Sequence, residues 1–334
     1  MAARARRRLS PDALAYLETG AGRETTLRAN RRAWDKVALR PRVLRDVRVV
    51  DPSTTILNTP VSLPVGIAPV GYQRLFHPRG EAATAAAAAE RGALLMLSTR
   101  CSMPLADVAA AGGPLWFQVY VLRDRGLTVE MAREAARLGA RALVITVDTP
   151  VPGSKRRCPD LSMLDEVLAV PAERSRRERI TQAADVTPDT IGWLASTTGL
   201  PVGVKGVLHP DDARIAVRAG AAVVIVSNHG GRQLDGAVAS AVALPAVVDA
   251  VGDQVPVLVD GGIRHGSDVL RALALGARGV LVGRPVIHGL AAAGAEGVAA
   301  VLDRFRRELE EVMRLAGADR IDAIGRDLLV TGAS

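Results

Sequence analysis

Cysteine and aromatic residues are both scarce in this 334-residue sequence. Its two cysteines, Cys101 and Cys158, are too few for a disulfide framework or a cysteine-ligated metal cluster, so we interpret each as a buried or incidental thiol. Aromatic residues make up only 3% of the chain. Because proteins bind single-stranded nucleic acid largely by stacking bases on aromatic side chains, this scarcity argues against that class of partner.

The chain also lacks a contiguous basic patch, although its net charge is +8. The arginines are spread over many segments, and the densest cluster, "AERSRRERI" at residues 172–180, alternates in sign. A positive field of this kind attracts small anions as well as it attracts nucleic acid. We therefore predict a small anionic partner and no nucleic acid.

Long apolar runs and a secretory signal are absent as well. No uninterrupted apolar run approaches the roughly 18–20 residues that a membrane-spanning helix needs. The basic start, "MAARARRRLSPDAL", has no apolar segment of the kind that follows the charged region of a signal peptide. These absences predict a cytoplasmic protein with no membrane partner.

From residue 60 onward, short apolar runs alternate with alanine-rich segments that are compatible with helices. The candidate strands lie at residues 64–69, 94–99, 116–121, 142–150, 201–207, 222–228, 255–262 and 279–285. Most are continuous Val, Ile and Leu runs, which is typical of parallel strands buried on both faces. Eight such units predict an α/β fold, a closed (β/α)₈ TIM barrel. A doubly wound open sheet is the alternative, but no G-x-G-x-x-G follows the first strand.

Two segments fall outside the repeat. We expect residues 1–334 to form a single domain, with residues 1–60 as a helical and irregular N-terminal extension of the barrel. Residues 152–190 interrupt the spacing after the fourth strand with Pro, Gly and charge. A long loop at that end of a barrel strand is usually functional, so we expect it to lie over the active site.

Polar residues at the predicted strand ends locate the chemistry, since TIM barrels build their active sites there. The seventh strand ends in "DGGIR", residues 260–264, and the eighth ends in Gly283-Arg284. Such glycine-rich turns bring backbone N–H groups close to a phosphate, and the arginines add charge-assisted hydrogen bonds. Lys205 and His229 end the neighbouring fifth and sixth strands. The pattern predicts a phosphate-bearing ligand beside a lysine and a histidine.

Six motifs occur together in one order: "IAPVGYQRLFHPRGE", "FQVY", "ITVDTP", "VKGV", "SNHGGRQLDG" and "VDGGIRHGSDVLRALALGARGVLVGRP". With them the chain resembles the FMN-dependent 2-hydroxy acid oxidases and dehydrogenases, which include glycolate oxidase, lactate oxidase and mandelate dehydrogenase. The resemblance extends from "AYLETGAG" to about residue 316, and it looks closest to the hydroxymandelate oxidase branch. It implies FMN as cofactor and oxidation of an (S)-2-hydroxy acid, with a mandelate-like substrate as one candidate.

The resemblance also implies roles for four catalytic residues. His229 matches the base that takes a proton from the substrate while the C–H electron pair goes to flavin N5, as hydride or through a carbanion. Asp148 matches the carboxylate that orients this imidazole, and Tyr120 matches the tyrosine that hydrogen-bonds the reacting hydroxyl. Lys205 matches the lysine beside flavin N1, where negative charge collects on reduction.

By the same resemblance, Arg232 and Tyr16 hold the substrate carboxylate. The implied FMN contacts are Pro69, Val70, Gly71, Ser98, Gln118, Thr146, Lys205, Ser227, Asp260, Gly261, Gly262, Arg264, Gly283 and Arg284. The resemblance further implies a homo-oligomer, a tetramer or an octamer, and electron transfer to O₂ or to a separate carrier.

The chain departs from the family pattern at two substrate-binding positions. Lys155 stands where the family has a second carboxylate-binding arginine, and a lysine lacks the planar fork that pairs with two oxygens. Arg156 reaches that place after a shift of one residue. Arg100 stands where several relatives have an aromatic residue, and it either replaces the missing arginine or contacts a polar part of the substrate. These changes leave a different substrate open: an amine, a modified peptide or a larger natural-product intermediate.

Overall fold

The structure is a computed structural model that describes residues 1–154 and 181–330. Its strands are β1 (Thr54–Ile56), β2 (Thr59–Val61), β3 (Val65–Ile67), β4 (Leu95–Ser98), β5 (Leu115–Val119), β6 (Leu143–Thr146), β7 (Val202–Val207), β8 (Val224–Val226), β9 (Val257–Asp260) and β10 (Gly279–Val282). The last eight pair in parallel into a closed barrel, in the order β10-β3-β4-β5-β6-β7-β8-β9. The predicted TIM barrel is confirmed, and the open-sheet alternative is wrong because β10 pairs with β3.

Helices cover the outside of the barrel. In the described residues they are α1 (Ala2–Arg8), α2 (Pro11–Glu18), α3 (Thr25–Asp35), α4 (Gly80–Glu90), α5 (Leu105–Ala109), α6 (Arg125–Arg137), α7 (Asp189–Thr198), α8 (Pro210–Arg218), α9 (Ser240–Val251), α10 (Gly266–Ala274) and α11 (Arg284–Ala316), with 3₁₀ turns at Gln73–Leu75, Ile321–Ala323 and Arg326–Leu328. The alanine tract in α4 is helical because alanine has the highest helix propensity. Most of its alanines are buried, so α4 packs closely against its neighbours.

The barrel strands read as continuous apolar runs because each has two buried faces. Successive strand residues point to opposite sides. Met96, Trp116, Val144 and Ile225 belong to the cluster that fills the barrel interior. Their chain neighbours, such as Leu97, belong to a second cluster that includes the surrounding helices. A strand of this kind has no solvent-facing side, so its sequence shows no polar alternation.

An antiparallel hairpin of β1 and β2 closes the N-terminal end of the barrel, and the sequence analysis missed it. Its turn residues, Leu57 and Asn58, have φ of 44° and 56°, the backbone that a two-residue type I′ turn requires. Asn58 is typical of such a turn, but the leucine at the other turn position is not, so the sequence does not indicate a hairpin here. Thr59 accepts a hydrogen bond from the indole of Trp116 at 3.0 Å, which connects the hairpin to the barrel interior.

Two of the N-terminal helices, α2 and α3, lie near the C-terminal ends of the strands. Trp34 of α3 donates from its indole to the carbonyl of Gly261 at 2.8 Å. Thr26 of the same helix donates from its hydroxyl to the carbonyl of Ala237 at 3.0 Å. The N-terminal helices therefore form part of the wall around the mouth of the barrel.

Helix α11 is long and apolar enough on average to cross a membrane, although the sequence contains no uninterrupted apolar run of that length. By length and composition it passes that test, since alanine and glycine dominate its first half. In this fold the helix is mostly buried, and Ala293 and Gly294 depart from helical geometry and divide it. Its apolar residues pack against other parts of the barrel, including α4 and α10.

Candidate functional site

Polar side chains form the uppermost layer of the barrel interior. They lie two residues beyond the apolar residues that fill it, and the strand period of two keeps them on the inner face. Thus Ser98 follows Met96 and Gln118 follows Trp116, and Ser98 pairs in register with Gln118. The other members of this buried layer are Thr146, Lys205, Ser227 and Asp260. The apolar core therefore ends in a polar floor at the mouth of the barrel.

Lys205 lies at the centre of this floor and is only 3% exposed. Its Nζ is 2.9 Å from Oδ2 of Asp260 and donates to the hydroxyl of Ser227 at 2.8 Å. Ser227 in turn donates to Oδ1 of Asp260 at 2.6 Å. A buried ammonium group needs such a partner because taking a charge out of water is costly. The network holds one fixed positive charge at the floor.

His229 and Asp148 form a second pair above this floor. Nδ1 of His229 lies 3.0 Å from Oδ1 of Asp148, while Nε2 lies 3.5 Å from the Tyr120 hydroxyl. A neutral imidazole that donates from Nδ1 leaves Nε2 free to accept a proton. The backbone of His229 is left-handed, with φ of 58°, and its N–H donates to Ser227. The sharp turn lifts the ring off the end of β8 and into the mouth.

The Asp148 carboxylate is suited to orient this ring. Burial would raise the pKa of Asp148, but the His229 imidazole, its hydrogen bond and the Lys205 charge outweigh burial and hold that pKa below its usual value. Asp148 is therefore ionised at neutral pH. Burial, followed by the Asp148 charge, raises the pKa of Tyr120, so its phenol keeps its proton and can donate it in a hydrogen bond.

Two arginines, Arg232 and Arg100, line the cavity near Tyr16 and Tyr120. Arg232 donates from Nη1 to the carbonyls of Tyr16 at 2.7 Å and Thr19 at 3.1 Å, and its guanidinium lies 4.9 Å from the centre of the Tyr16 ring. Arg100 lines the same cavity from the end of β4. Burial raises the pKa of the Tyr16 phenol, so Tyr16 also remains protonated. The region offers hydrogen-bond donors and positive charge to an anion.

A neighbouring part of the cavity combines a glycine turn with two arginines, Arg264 and Arg284. Gly261 and Gly262 have φ of 95° and 85°, and they lie between the end of β9 and the first turn of α10. Burial and the charge of Arg31 lower the pKa of Arg264 to about 10, and burial and Arg232 lower the pKa of Arg284 to about 9. Because a guanidinium does not deprotonate in proteins, both side chains present positive charge to the cavity that they line.

The glycine at position 262 has no room for a side chain, which gives a testable consequence. A Cβ there would overlap the backbone of Asn30 and come within 3.0 Å of the Trp34 indole. We expect Gly262→Ala to lower the free energy of unfolding by about 1–3 kcal/mol, through overpacking and a left-handed backbone. Thermal unfolding measures the change, and Gly220→Ala is the control for backbone strain, since its φ is 93° and its Cβ would lie in open space. Equal losses in the two variants would contradict the overlap.

The candidate residues line one cavity with about 960 Å³ of empty space, open to solvent on one side. Those that line it directly are Tyr16, Pro69, Val70, Gly71, Ser98, Arg100, Tyr120, Thr146, Lys205, His229, Arg232, Asp260, Gly261, Gly262, Arg264, Gly283 and Arg284. Gln118, Ser227 and Asp148 lie behind this layer and hydrogen-bond Ser98, Lys205 and His229 respectively. Lys155 and Arg156 lie outside the described residues.

Sequence reasoning missed the residues that support the site from behind. Asn30 and Asn228 exchange two hydrogen bonds of 2.8 Å and attach α3 to the turn before His229. Gln233 donates to the carbonyls of Asp148 and Val151, both at 3.1 Å. Asn228 lies in the quoted motif beside His229, but nothing in the sequence indicates that its partner is 198 residues away.

Comparisons with known proteins agree with this geometry. Residues 5–331 match the family described as FMN-dependent dehydrogenase. This chain belongs to that family. It is 43% identical over 326 residues to the 4-hydroxymandelate oxidase of Amycolatopsis orientalis, covering 93% of this chain and 91% of that protein. It is 41% identical over 347 residues to an L-lactate oxidase of a Nostoc species, covering 97% and 95%.

A solved structure of mandelate oxidase with (S)-4-hydroxymandelic acid has the same fold. It superposes with a TM-score of 0.88 at 40% identity, covering 96% of this chain and 95% of that one. The cofactor of this FMN-dependent dehydrogenase is therefore FMN, as the motifs implied.

The residues present fit FMN at both ends. Gln118 Nε2 is buried and has no hydrogen-bond partner among the described residues, so it can donate to a carbonyl at the edge of the flavin ring. Arg264 and Arg284, with the backbone of Gly261 and Gly262, suit the dianionic phosphate. Lys205 is the fixed cation between these ends.

Proposed function

We propose that this protein oxidises an (S)-2-hydroxy acid to the corresponding 2-oxo acid. The main support for the proposal is that His229 and Arg232 line the same cavity as Gly261, Gly262 and Arg264, the residues suited to the FMN phosphate. The family shares this chemistry, and its named members include lactate, glycolate and 4-hydroxymandelate oxidases.

Arg232 and Tyr16, on the α2 side of the cavity, bind the substrate carboxylate. Arg232 is held by two backbone carbonyls, so little side-chain entropy is lost when it pairs with the substrate carboxylate. The Tyr16 phenol, which keeps its proton, donates a further hydrogen bond. These contacts place the 2-hydroxyl near Tyr120 and His229.

Proton transfer falls to His229. Its Nε2 accepts a proton from the substrate, and Asp148 stabilises the imidazolium that forms. FMN, when bound, supplies the acceptor for the electron pair of the substrate C2–H bond. Tyr120 donates a hydrogen bond to the substrate oxygen, and Lys205 places positive charge below the site. The substrate thus loses two electrons and two protons in becoming the 2-oxo acid.

An anaerobic titration of the purified yellow protein tests the proposal. The panel is glycolate, (S)-lactate, both mandelate enantiomers and 4-hydroxymandelate, and the measurement is loss of visible flavin absorption. We expect one acid, in one enantiomer, to bleach the flavin absorption. Readmitting air then shows whether O₂ reoxidises the flavin or a separate electron carrier is needed. A flavin that no hydroxy acid reduces would refute the proposed substrate class.

The carboxylate contact gives a further prediction. We expect Arg232→Lys to raise KM and to lower kcat, because an ammonium group pairs with one carboxylate oxygen at a time and loses the backbone anchors. A reduction of kcat/KM by about tenfold or more corresponds to one charge-assisted hydrogen bond. Steady-state kinetics measure it, with Arg45→Lys, an exposed arginine outside the cavity, as the control. An unchanged kcat/KM would remove Arg232 from this role.

We also propose that the protein is a cytoplasmic homo-oligomer, a tetramer or an octamer. Val43, Leu44 and Val49 support this proposal, since they are 76%, 101% and 80% exposed on the irregular segment after α3. Exposed apolar surface of this kind commonly belongs to subunit interfaces. Light scattering at several protein concentrations tests the assembly, and a monomer at all of them would refute it.

A further inference from the structure

We propose that Gln233 is a positioning residue for the reaction, and that it holds the Asp148 carboxylate in place beside His229. The inference rests on the proposed function, in which His229 takes a proton and Asp148 stabilises the imidazolium. Gln233 is not one of the described residues that line the cavity, so it acts through its neighbours. The basis of the inference is a set of contacts that joins the segment carrying Asp148 to the turn carrying His229.

Asp148 lies just beyond the regular part of the barrel. Strand β6 ends at Thr146, and residues 147–154 form neither a helix nor a strand. The N–H of Val147 donates to the carbonyl of Lys205 at 2.9 Å, which continues the pairing with β7 by one residue. Contacts other than this strand ladder therefore hold the segment that begins with Asp148.

The side-chain amide of Gln233 holds this segment by three hydrogen bonds. Its Nε2 donates to the carbonyls of Asp148 and Val151, both at 3.1 Å, and its Oε1 accepts from the N–H of Gly153 at 3.0 Å. A primary amide carries two N–H donors and an acceptor oxygen, so all three contacts match its groups. A carboxylate at this position would face two carbonyl oxygens, and an apolar side chain would make none of the three bonds.

His229 belongs to the same turn as Gln233. It precedes Gln233 by four residues, in the segment that follows β8. Asn228 closes this turn, because its carbonyl and its Oδ1 accept from the N–H of Gly231 at 3.0 and 3.1 Å. The N–H of His229 donates to the Ser227 hydroxyl at 3.0 Å. Gln233 thus connects a hydrogen-bonded turn, which presents the imidazole, to the segment that presents the carboxylate.

Two glycines allow the segment after β6 to lie close to both of its neighbours. A Cβ at Gly153 would lie 2.7 Å from the Arg232 carbonyl oxygen and 2.8 Å from the Gln233 Cα. A Cβ at Gly206 of β7 would lie 2.6 Å from the Asp148 Cβ. The segment is therefore packed between β7 and the turn, and the amide of Gln233 keeps it from moving away from the turn.

The position of the Asp148 carboxylate matters because its environment is buried. Oδ1 lies 3.0 Å from Nδ1 of His229, whereas Oδ2 is buried and has no hydrogen-bond partner among the described residues. Burial disfavours the ionised carboxylate, and its contacts with His229 are the largest of those that offset burial. A carboxylate that moves away from His229 loses these contacts and no longer orients the ring. Loss of the Gln233 amide therefore weakens proton transfer at His229 without removing either group.

The experiment measures flavin reduction in the holoenzyme after Gln233→Met, which keeps the length of the side chain and removes the amide. The substrate is whichever of glycolate, (S)-lactate, (S)-mandelate and (S)-4-hydroxymandelate reduces the wild-type flavin fastest in anaerobic stopped-flow absorption. We expect the limiting rate constant at saturating substrate to fall about tenfold or more, as for the loss of a hydrogen bond that orients a charged group. The substrate concentration at half-saturation changes little, because Arg232 keeps its two carbonyl anchors.

A double-variant cycle distinguishes positioning from a merely structural role. Asp148→Asn keeps the shape of the side chain and removes its charge, so in that background Gln233 has no carboxylate to position. We expect Gln233→Met to slow the Asp148→Asn enzyme by less than about twofold, since residues that act together give non-additive changes. A structural role of Gln233 would produce its full loss in both backgrounds.

Two further variants complete the set. Gln233→Glu keeps an acceptor for the Gly153 N–H and loses both donated bonds, so it is also expected to slow reduction. It tests the inference independently if the methionine variant does not bind FMN, which the ratio of visible to ultraviolet absorption reports. Gln254 is exposed on the segment before β9, so Gln254→Met is the matched control and leaves the rate unchanged.

The outcomes separate this inference from the proposed function. A Gln233 variant that reduces its bound flavin at the wild-type rate would overturn the inference and leave the proposed function intact. Equal losses from Gln233→Met with and without Asp148→Asn would do the same. Flavin that none of the four acids reduces would refute the proposed function and this inference with it.

Discussion

Replacing His229 with asparagine is expected to slow flavin reduction by the substrate about 10²–10⁴-fold, the usual contribution of a positioned base. Asparagine is the informative substitution because it tolerates the left-handed backbone, with φ of 58°, that His229 adopts. It therefore removes the imidazole without straining the turn. Anaerobic stopped-flow absorption at saturating substrate measures the reduction rate, and the ratio of visible to ultraviolet absorption reports whether FMN is still bound.

A matched histidine serves as the control for this variant. His209 is an exposed N-cap of α8, and its Nδ1 accepts from the N–H of Asp211 at 3.1 Å. Asparagine is a preferred N-cap, so His209→Asn keeps the helix end and leaves the reduction rate unchanged. A His229→Asn enzyme that retains its FMN and reduces it at the wild-type rate would show that another group takes the proton.

Replacing Lys205 with methionine is expected to lower the free energy of unfolding by about 3–5 kcal/mol, since it breaks a buried ion pair by removing one partner. The Asp260 carboxylate, 7% exposed, then loses its ionic partner inside the barrel and retains the hydrogen bond from the Ser227 hydroxyl. Methionine has a similar length, so packing changes little. Urea unfolding followed by circular dichroism measures the loss.

A double variant separates stability from chemistry in this pair. Adding Asp260→Asn to Lys205→Met removes the unpaired charge, so most of the stability returns. Flavin reduction does not return, because the fixed cation that stabilises negative charge on the reduced cofactor is still absent. If the single variant is as stable as the wild type, the Lys205–Asp260 ion pair does not contribute to the free energy of unfolding as argued above. If the double variant reduces FMN at the wild-type rate, Lys205 has no electrostatic role in the reaction.

The fold and most of the site were predictable because their signals are local. A strand with two buried faces reads as a continuous apolar run, and eight such runs lie at the positions of β3 to β10. The strand period of two places Lys205 on the inner face above Gly203, and Thr146 above Val144. A polar residue that ends such a run, as Ser227 does, is therefore a candidate site residue because of its position on the strand.

The β1–β2 hairpin shows where local signals fail. Its strands are three residues long, and its turn places Leu57 at a positive φ that leucine rarely adopts. The hairpin forms because Ile56 and Thr59 contact the barrel interior, where Thr59 accepts from Trp116. The Thr59–Trp116 hydrogen bond joins residues 57 positions apart, and it offsets the unfavourable turn. Local sequence propensities do not include the stabilisation that such a distant contact provides.

By itself, the sequence determined the barrel and placed the candidate base and anion-binding groups at its strand ends, since both depend on residue type and strand period. Only the tertiary structure decided what surrounds them. Arg232 is anchored by carbonyls of Tyr16 and Thr19, more than 200 positions away in the chain. Asn30 of α3 is paired with Asn228, 198 positions away in the chain. Such relations depend on packing between distant segments, and packing is a property of the whole fold.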